Sequence, residues 1–271
     1  MSGPEKCAGC KKEFIRRVLS LTGGHSVWVC RACGLAHTRP LSDEKSDPNL
    51  LTDALAYARA VAPLQRGFEF HYHQLLKLVR PYSTPTPRWL EIGCGVGDFL
   101  SRAVEAGYEA WGVEPGMKGD SFPTVPSARL LSGRVEDVNL PDNYFSVVSA
   151  VQVIEHLRSP RLFMDRVTKS LRSGGVLFIE TPNFNALARR VRWPPFMNLN
   201  VGPGHWHLFS VESLRQLALA YGLKPLKTWT YFKALSQAGR DPLRRAALAT
   251  LNGVFRPFHG GNTVALLARK P

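Results

Sequence analysis

Acidic residues are scarce in the last third of this 271-residue chain: residues 181–271 contain 2 Asp or Glu but 13 Lys or Arg. Residues 46–180 are nearly balanced, with 15 acidic and 14 basic residues, and residues 1–45 contain 4 and 8. The net charge of +14 is therefore concentrated at the two ends of the chain. Such a field attracts nucleic acid, anionic lipid headgroups or anionic small molecules. A basic surface that only aids solubility would have the same composition.

Long apolar runs and targeting signals are also absent. No stretch approaches the roughly 20 apolar residues that a membrane-spanning helix needs. The first residues, MSGPEKC, lack the basic-then-apolar pattern of a secretory signal, so we expect a cytoplasmic location. A hydrophobic content of 44% is typical of a globular core, and the length allows one large domain plus a small accessory one.

Four of the five cysteines form two Cys-x-x-Cys pairs that are separated by 19 residues. This spacing predicts a zinc ribbon over residues 1–45, because two such pairs can surround one tetrahedral ion and leave no open position. The predicted ligands of the structural Zn²⁺ are Cys7, Cys10, Cys30 and Cys33. Disulfides and free thiols are the alternatives, and the missing secretory signal disfavours disulfides. His25 and His37 could substitute as ligands, although four cysteines make them unnecessary.

The next segment, residues 46–84, has the pattern of a helical cap followed by a proline-rich connector. Its helical spacing is broken near Pro63, and RPYSTPTPR ends the second helix. The apolar residues that can share one face of that helix are Leu64, Phe68, Leu75, Leu76 and Val79.

From residue 85 to residue 271, strand-like and helix-like segments alternate. The strands are RWLEIG, EAWGVEP, ARLLSG, YFSVVSAVQV, VLFIETPN, KPLKTWTYFKA and NTVALLARK. The helices are DFLSRAVEAGY, SPRLFMDRVTKSLRSGG, which we expect to end at its glycine pair, and SVESLRQLALAYGL, between Ser210 and Gly222. The pattern predicts an α/β fold, a Rossmann-like seven-stranded mostly parallel sheet with helices on both faces, preceded by the small zinc ribbon.

A glycine-rich loop follows the first of these strands, in LEIGCGVGDF. Its third glycine comes one residue too early for the dinucleotide fingerprint, and the Lys-Ser/Thr of a phosphate-binding loop is missing. Glu91 would repel a pyrophosphate but tolerate a sulfonium or an amine, and Glu114, at the end of the second strand, can accept both hydroxyls of a ribose. These features favour a nucleoside that carries a positive group. A tight turn in an enzyme with another cofactor is the alternative.

These motifs resemble those of class I S-adenosylmethionine-dependent methyltransferases. LEIGCGVGDFLSRAVEAGYEAWGVEP, LPDNYFSVVSAVQVIEHLRSP, LRSGGVLFIETPN and HLFSVESLRQLALAYGL occur in the family's order. The likeness covers residues 85–271 and is strongest to bacterial enzymes with an N-terminal zinc ribbon, whereas quinone-biosynthesis O-methyltransferases are more distant. It implies a cofactor-binding set of Glu91, Gly93, Gly95, Gly97, Glu114, Val135, Glu136 and Gln152. In this set Glu114 would hold the ribose, Val135 and Glu136 would face adenine, and Gln152 would lie near the transferable methyl group. Many relatives have Asp where this chain has Arg134.

Two histidines are the candidate catalytic bases. His156 follows the fourth strand in VIEHL, where a structural contact at a helix start is the alternative, and His205 lies in GPGHWHLFS. We expect Trp206 to stack on an acceptor and His207 to pack the loop. Quinone O-methyltransferases hold a metal at this place with an acidic pair and a His. Gln152 replaces the first acid here, so a catalytic metal is not expected.

The expected activity is therefore methyl transfer from S-adenosylmethionine to a small-molecule, sugar or lipid-linked acceptor, most simply at oxygen. An RNA methyltransferase that uses the ribbon and the basic surface is one alternative, and an inactive zinc-ribbon adaptor is another. Basic residues alternate with apolar ones in LARRVRWPPFMNL and RDPLRRAALATLNGVFRPF, a pattern typical of peripheral contact with anionic membrane. A helix that packs on the sheet edge would also produce it. Tyr57 and Tyr72 lie in the helical cap, which would cover the cofactor.

Overall fold

The computed structural model describes two sheets and the helices around them. The described residues are 6–12, 15–20, 26–39, 65–82, 87–116, 125–186, 205–232, 246, 249–250, 253–254 and 259–271. None of the helices in this part of the chain has the length and hydrophobicity that crossing a bilayer requires.

The larger sheet has seven strands, which are β4 Arg88–Ile92, β5 Glu109–Glu114, β6 Ala128–Ser132, β7 Phe145–Val151, β8 Leu171–Pro182, β10 Lys224–Tyr231 and β11 Thr263–Arg269. Their order in the sheet is β10-β11-β8-β7-β4-β5-β6. Strands β4 to β8 run parallel to one another, and β10 and β11 add an antiparallel edge. The predicted Rossmann-like, mostly parallel seven-stranded sheet is confirmed.

Helices cover this sheet because its central strands are buried on both faces. The helices are α1 Gln65–Val79, α2 Asp98–Glu105, α3 Pro160–Ser170 and α4 Val211–Ala220, with 3₁₀ turns at Arg80–Tyr82 and Ile154–His156. In α1 the predicted apolar face is seen at Leu75 and Val79, which are buried. Helix α4 begins with a capping box in which the Ser210 and Ser213 hydroxyls each accept the other's backbone N–H.

The end of α3 differs from the prediction. We expected the helix to continue to its glycine pair, but it ends at Ser170 and β8 begins at Leu171. The pairing of β8 with β7 shifts between Phe145 and Val147, and the glycines form the irregularity. A side chain at Gly175 would lie about 3 Å from three backbone carbonyl oxygens, so the pair marks a close backbone approach.

The smaller sheet contains the cysteines and has four strands. It is formed by β1 Ile15–Ser20, β2 Ser26–Cys30 and β3 Ala36–Arg39, all antiparallel, and by β9 His207–Leu208. Strand β9 comes from the part of the chain that follows β8, so the ribbon and the larger domain share a sheet. Cys7, Cys30 and Leu35 also belong to the same buried cluster as Phe163 and Phe209.

Candidate active site

The glycine loop joins β4 to α2 at the carboxyl edge of the sheet. Gly93, Gly95 and Gly97 have φ values of 71°, 53° and 80°, which L side chains rarely adopt. A Cβ at Gly93 would lie 2.4 Å from a methyl group of Val153. Val153, which follows Gln152, therefore lies against the backbone of Gly93, and this contact joins the glycine loop to the end of β7.

Glu114 ends β5 beside this loop, as its predicted role requires. One carboxylate oxygen accepts the backbone N–H of Gly95 and the other accepts that of Gly116, each at 3.0 Å. The side chain is almost completely buried. Because each carboxylate oxygen has a second lone pair, the group is held in place and can still accept two ribose hydroxyls.

Glu91 lies on β4 directly below the loop and is also buried. Burial, together with the charges of Glu114 and Asp98, raises the pKa of Glu91 well above its usual range. Its Oε2 atom has no hydrogen-bond partner among the described residues. A buried carboxyl with an unused oxygen and two acidic neighbours attracts a cation, so these residues fit the sulfonium nucleoside that the resemblance implies.

The predicted adenine loop follows β6. The backbone N–H of Gly133 donates to the Glu114 carbonyl at 3.2 Å, which places this loop beside the ribose acid. Val135 is 2% exposed and packs in the hydrophobic core. Burial raises the pKa of Glu136, whose backbone carbonyl accepts a hydrogen bond from Arg166.

Gln152 follows β7 in a left-handed conformation, with a φ of 57°. Its backbone N–H donates to the Glu180 carbonyl at 2.8 Å, and its side-chain amide lies 3.3 Å from a carboxylate oxygen of Glu180. The hydroxyl of Tyr231 donates to the other oxygen of Glu180 at 2.5 Å. Glu180 and Tyr231 were not predicted as site residues. The local sequence does not show that Glu180 on β8 and Tyr231 on the edge strand β10 are hydrogen-bonded to each other next to Gln152.

The two candidate bases lie together. The rings of His156 and His205 are 4.5 Å apart between centroids at an interplanar angle of 70°. Glu155, which is buried, accepts a 2.8 Å hydrogen bond from Thr181 through Oε2. One ligand atom each of Glu155, His156 and His205 lies within 4.8 Å of the other two. A carboxylate and two imidazoles can bind a transition metal. The sequence predicted no catalytic metal because Gln152 replaces an acidic ligand, but it did not show that His205 lies close enough to be a third donor.

Trp206 does not have the predicted role. Its side chain is 3% exposed and the Arg158 guanidinium covers its ring at 4.9 Å, so the face that was expected to stack on an acceptor is occupied. Tyr72 stacks on Phe99 at 4.5 Å. Tyr57, His25 and residues 187–204, with their basic-apolar pattern, lie outside the described residues, as does almost all of 240–258. Val254, from that second segment, is helical and exposed.

The four predicted metal ligands form one cluster. The sulfur atoms of Cys7 and Cys33 are 3.6 Å apart and those of Cys10 and Cys30 are 3.5 Å apart, and all four lie within 4.8 Å of one another. A disulfide needs about 2.05 Å, whereas a tetrahedral Zn²⁺ site with Zn–S bonds of about 2.3 Å has sulfur separations near 3.8 Å. A hydrogen bond from Cys33, with another from His37, lowers the pKa of Cys7 to about 3. The cluster is compatible with the predicted zinc ribbon.

Comparison with known proteins identifies the larger domain. The sequence profile of the family described as "Methyltransferase domain" matches residues 64–228. The chain belongs to this methyltransferase family. The methyltransferase is 27% identical over 209 residues to a probable S-adenosylmethionine-dependent methyltransferase of Mycolicibacterium smegmatis, covering 74% of this chain and 72% of that relative.

Two further similar proteins match different shares of the chain. A ubiquinone biosynthesis O-methyltransferase of Nitrobacter winogradskyi is 29% identical to the methyltransferase over 109 residues, which cover 36% of this chain and 40% of the relative. A solved SAM-dependent methyltransferase of Archaeoglobus fulgidus aligns with a TM-score of 0.54 at 22% identity, covering 74% of this chain and 94% of the other. At this identity the structural likeness shows the fold alone.

Proposed function

We propose that this methyltransferase transfers the methyl group of S-adenosylmethionine to an oxygen of a small-molecule, sugar or lipid-linked acceptor. The observation that carries the proposal is the pair of imidazoles, His156 and His205, in contact at the carboxyl edge of the sheet. The same edge carries the acidic glycine loop, which meets the end of β7 at the Gly93–Val153 contact. The donor side and the acceptor side of the proposed reaction would therefore be adjacent.

On the donor side, Glu91, Glu114 and the glycine loop would hold the cofactor. S-adenosylmethionine supplies a methyl group that is already activated on a positive sulfur. Glu114 would accept the ribose hydroxyls, Glu91 would favour the positive charge, and Gln152 would lie beside the reacting carbon. Catalysis then depends mainly on alignment, for which proximity can contribute up to about 7–11 kcal/mol.

On the acceptor side, an imidazole would remove the proton of the acceptor hydroxyl as the oxygen bonds to the methyl carbon. His156 is partly exposed, with 27% of its side chain accessible, and its Nε2 lies 4.0 Å from Oε1 of Glu155. Glu155 would stabilise the imidazolium that forms. A general base of this kind contributes about 10²- to 10⁴-fold to the rate.

The four-cysteine cluster would hold a structural Zn²⁺. Its sulfur separations and the full set of four thiols support this assignment. A closed four-thiolate site has no open position, so the ion would stabilise the ribbon and take no direct part in methyl transfer.

The test is incubation of the purified protein with methyl-labelled S-adenosylmethionine and a cell extract that is then separated into RNA, lipid and small-molecule fractions. We expect label in the lipid or small-molecule fraction, a loss of label with His205→Asn, and unchanged labelling with the exposed control His73→Phe. Label confined to RNA would support the alternative acceptor class, and binding of cofactor without any transfer would support the inactive adaptor.

A further inference from the structure

The ribbon contacts the acceptor side of the methyltransferase domain through a short strand pair. Strand β3 pairs with β9, so that Ala36 lies opposite Leu208 and His37 opposite His207. The Thr38 N–H donates to the Trp206 carbonyl at 3.1 Å, and the Thr38 hydroxyl donates to the His205 carbonyl at 2.7 Å. The backbone of a candidate base is thus bound by the ribbon.

A chain of buried side chains links this strand pair to the cysteine cluster. His37 Nε2 lies 3.3 Å from Cys7 Sγ, and His37 Nδ1 lies 3.1 Å from His207 Nδ1. His207 Nε2 lies 3.3 Å from the Arg158 carbonyl oxygen. His37 and His207 are 1% and 3% exposed, so water cannot replace these contacts at low cost.

The direction of these bonds follows from the atoms at the two ends. A metal-bound thiolate and a carbonyl oxygen only accept, so both outer nitrogens of the two imidazoles carry a proton.

Residues 205–208 are also bound, from the side opposite β3, by the turn that contains His156. The Trp206 N–H donates to the Glu155 carbonyl at 2.9 Å. Residues 205–208 therefore lie between β3 of the ribbon and the Ile154–His156 turn, and the His156–His205 ring contact is formed across that second boundary. The Arg161 guanidinium also donates to the Gly9 carbonyl, within the first cysteine pair, at 3.4 Å.

We propose that the ribbon is a positioning element of the acceptor site, in which the metal fixes Cys7, Cys7 fixes His37, and His37 with β3 holds the segment 205–208 so that His205 lies against His156. His37 and His207 are then positioning residues, which touch neither cofactor nor acceptor. The inference rests on the proposed function for the meaning of His205, whereas the link between the metal and the segment can be measured without turnover.

The first measurement is the rate at which excess EDTA removes zinc from the full-length zinc-loaded protein. His207 lies one contact beyond His37, the residue that contacts Cys7, and His207→Phe removes the partner of His37. Loss of a group that contacts a metal ligand directly weakens metal sites about 10- to 100-fold. We therefore expect His207→Phe, one contact further out, to release zinc faster than wild type by up to about 10-fold. His207→Asn, whose amide can replace Nδ1, should be closer to wild type, and His73→Phe, exposed on α1, should match it. Release from His207→Phe at the wild-type rate would overturn the proposal.

The second measurement is hydrogen exchange of the backbone amides of residues 205–209. With zinc bound, we expect faster exchange there in His37→Phe than in wild type, and no change in β4. Equal exchange in both proteins would also overturn the proposal. If His37→Phe does not fold, Thr38→Val decides the question, because it removes only the bond to the His205 carbonyl and should increase exchange at the same segment.

Titration with S-adenosylmethionine separates this inference from the proposed function. The variants should bind the cofactor as wild type does, since Glu91, Glu114 and the glycine loop lie on other elements. If wild type itself does not bind the cofactor, the proposed function fails. The zinc-release and exchange results still decide whether the ribbon fixes the segment 205–208.

Discussion

The side-chain amide of Gln152 donates to the buried carboxylate of Glu180 across the carboxyl ends of neighbouring strands, at 3.3 Å. Gln152 has a positive φ of 57°, a conformation that costs a non-glycine residue roughly 1–2 kcal/mol. Two bonds to Glu180, one from the backbone and one from the side chain, offset that cost. The residue expected beside the methyl group is therefore held from β8.

Tyr231→Phe tests the hydrogen bond between Tyr231 and Glu180, the residue that holds Gln152. Burial and the Glu180 carboxylate raise the pKa of Tyr231, so its hydroxyl remains a donor, and removing it leaves a fully buried carboxylate with one partner fewer. We expect a loss of about 1–3 kcal/mol in the free energy of unfolding, measured by urea denaturation. The control is Tyr144→Phe, whose exposed hydroxyl donates to Glu109 and should contribute less than about 1 kcal/mol. Equal losses would mean that the burial of Glu180 has no energetic effect.

Gly93→Ala should be more destabilising than its backbone angle alone requires. The angles of Gly93 and Gly107 are similar, at 71° and 86°, but a Cβ meets Val153 at 2.4 Å in the first and nothing within 4 Å in the second. Gly107→Ala should cost about 1–2 kcal/mol, and Gly93→Ala about 1–3 kcal/mol more from overpacking. Thermal and urea unfolding measure both. Adding Val153→Ala should remove most of the difference, and a double variant no more stable than Gly93→Ala would contradict the contact.

Glu114→Ala should weaken binding of S-adenosylmethionine while the protein remains folded. Hydrogen bonds to a charged group contribute about 1.5–3 kcal/mol each, so loss of two ribose contacts predicts at least a 100-fold higher Kd by titration calorimetry. Glu105→Ala removes an exposed carboxylate that pairs with Arg102 on α2 and should leave the Kd unchanged. A Kd of wild-type size in Glu114→Ala would contradict the assignment of the whole glycine-loop site.

The larger sheet, the glycine loop and the cysteine cluster were predictable because each depends on residues close in sequence. Apolar runs predicted the strands, and Ser210 and Gly222 marked the ends of α4. The predicted end of α3 was wrong because the Gly174–Gly175 pair lies at the contact between β7 and β8. A local sequence pattern does not show which strands will be neighbours.

The parts that sequence reasoning missed join distant segments. His156 and His205 were separate candidates, and the contacts of residues 205–208 with β3 and with the Ile154–His156 turn bring the second to the first. Trp206 is an aromatic residue of the kind that stacks on ligands, yet the pairing of β9 with β3 leaves it buried. Glu180 and Tyr231 lie on strands whose neighbours are set by sheet order, which alternation of strands and helices does not specify.

Glu91→Gln should change the pH dependence of both stability and binding. Burial, then the charges of Glu114 and Asp98, raises the pKa of Glu91 in the folded protein. The stabilising effect of its proton is therefore fully present below the unfolded value of about 4.3 and is lost as pH rises through the raised pKa. The glutamine variant has no such loss, so its free energy of unfolding should exceed that of wild type at neutral pH and approach it in acid.

A positive ligand reverses this preference, because it favours the ionised form of Glu91. The affinity of wild type for S-adenosylmethionine should rise with pH through the raised pKa, with release of a proton on binding, and Glu91→Gln should bind more weakly with a flatter profile. S-adenosylhomocysteine, which has no charge on sulfur, provides the matched ligand and should show a smaller pH effect. Calorimetry in buffers of different ionisation enthalpy measures the released proton. Equal pH profiles for the two ligands would show that the Glu91 carboxylate does not respond to the sulfonium charge.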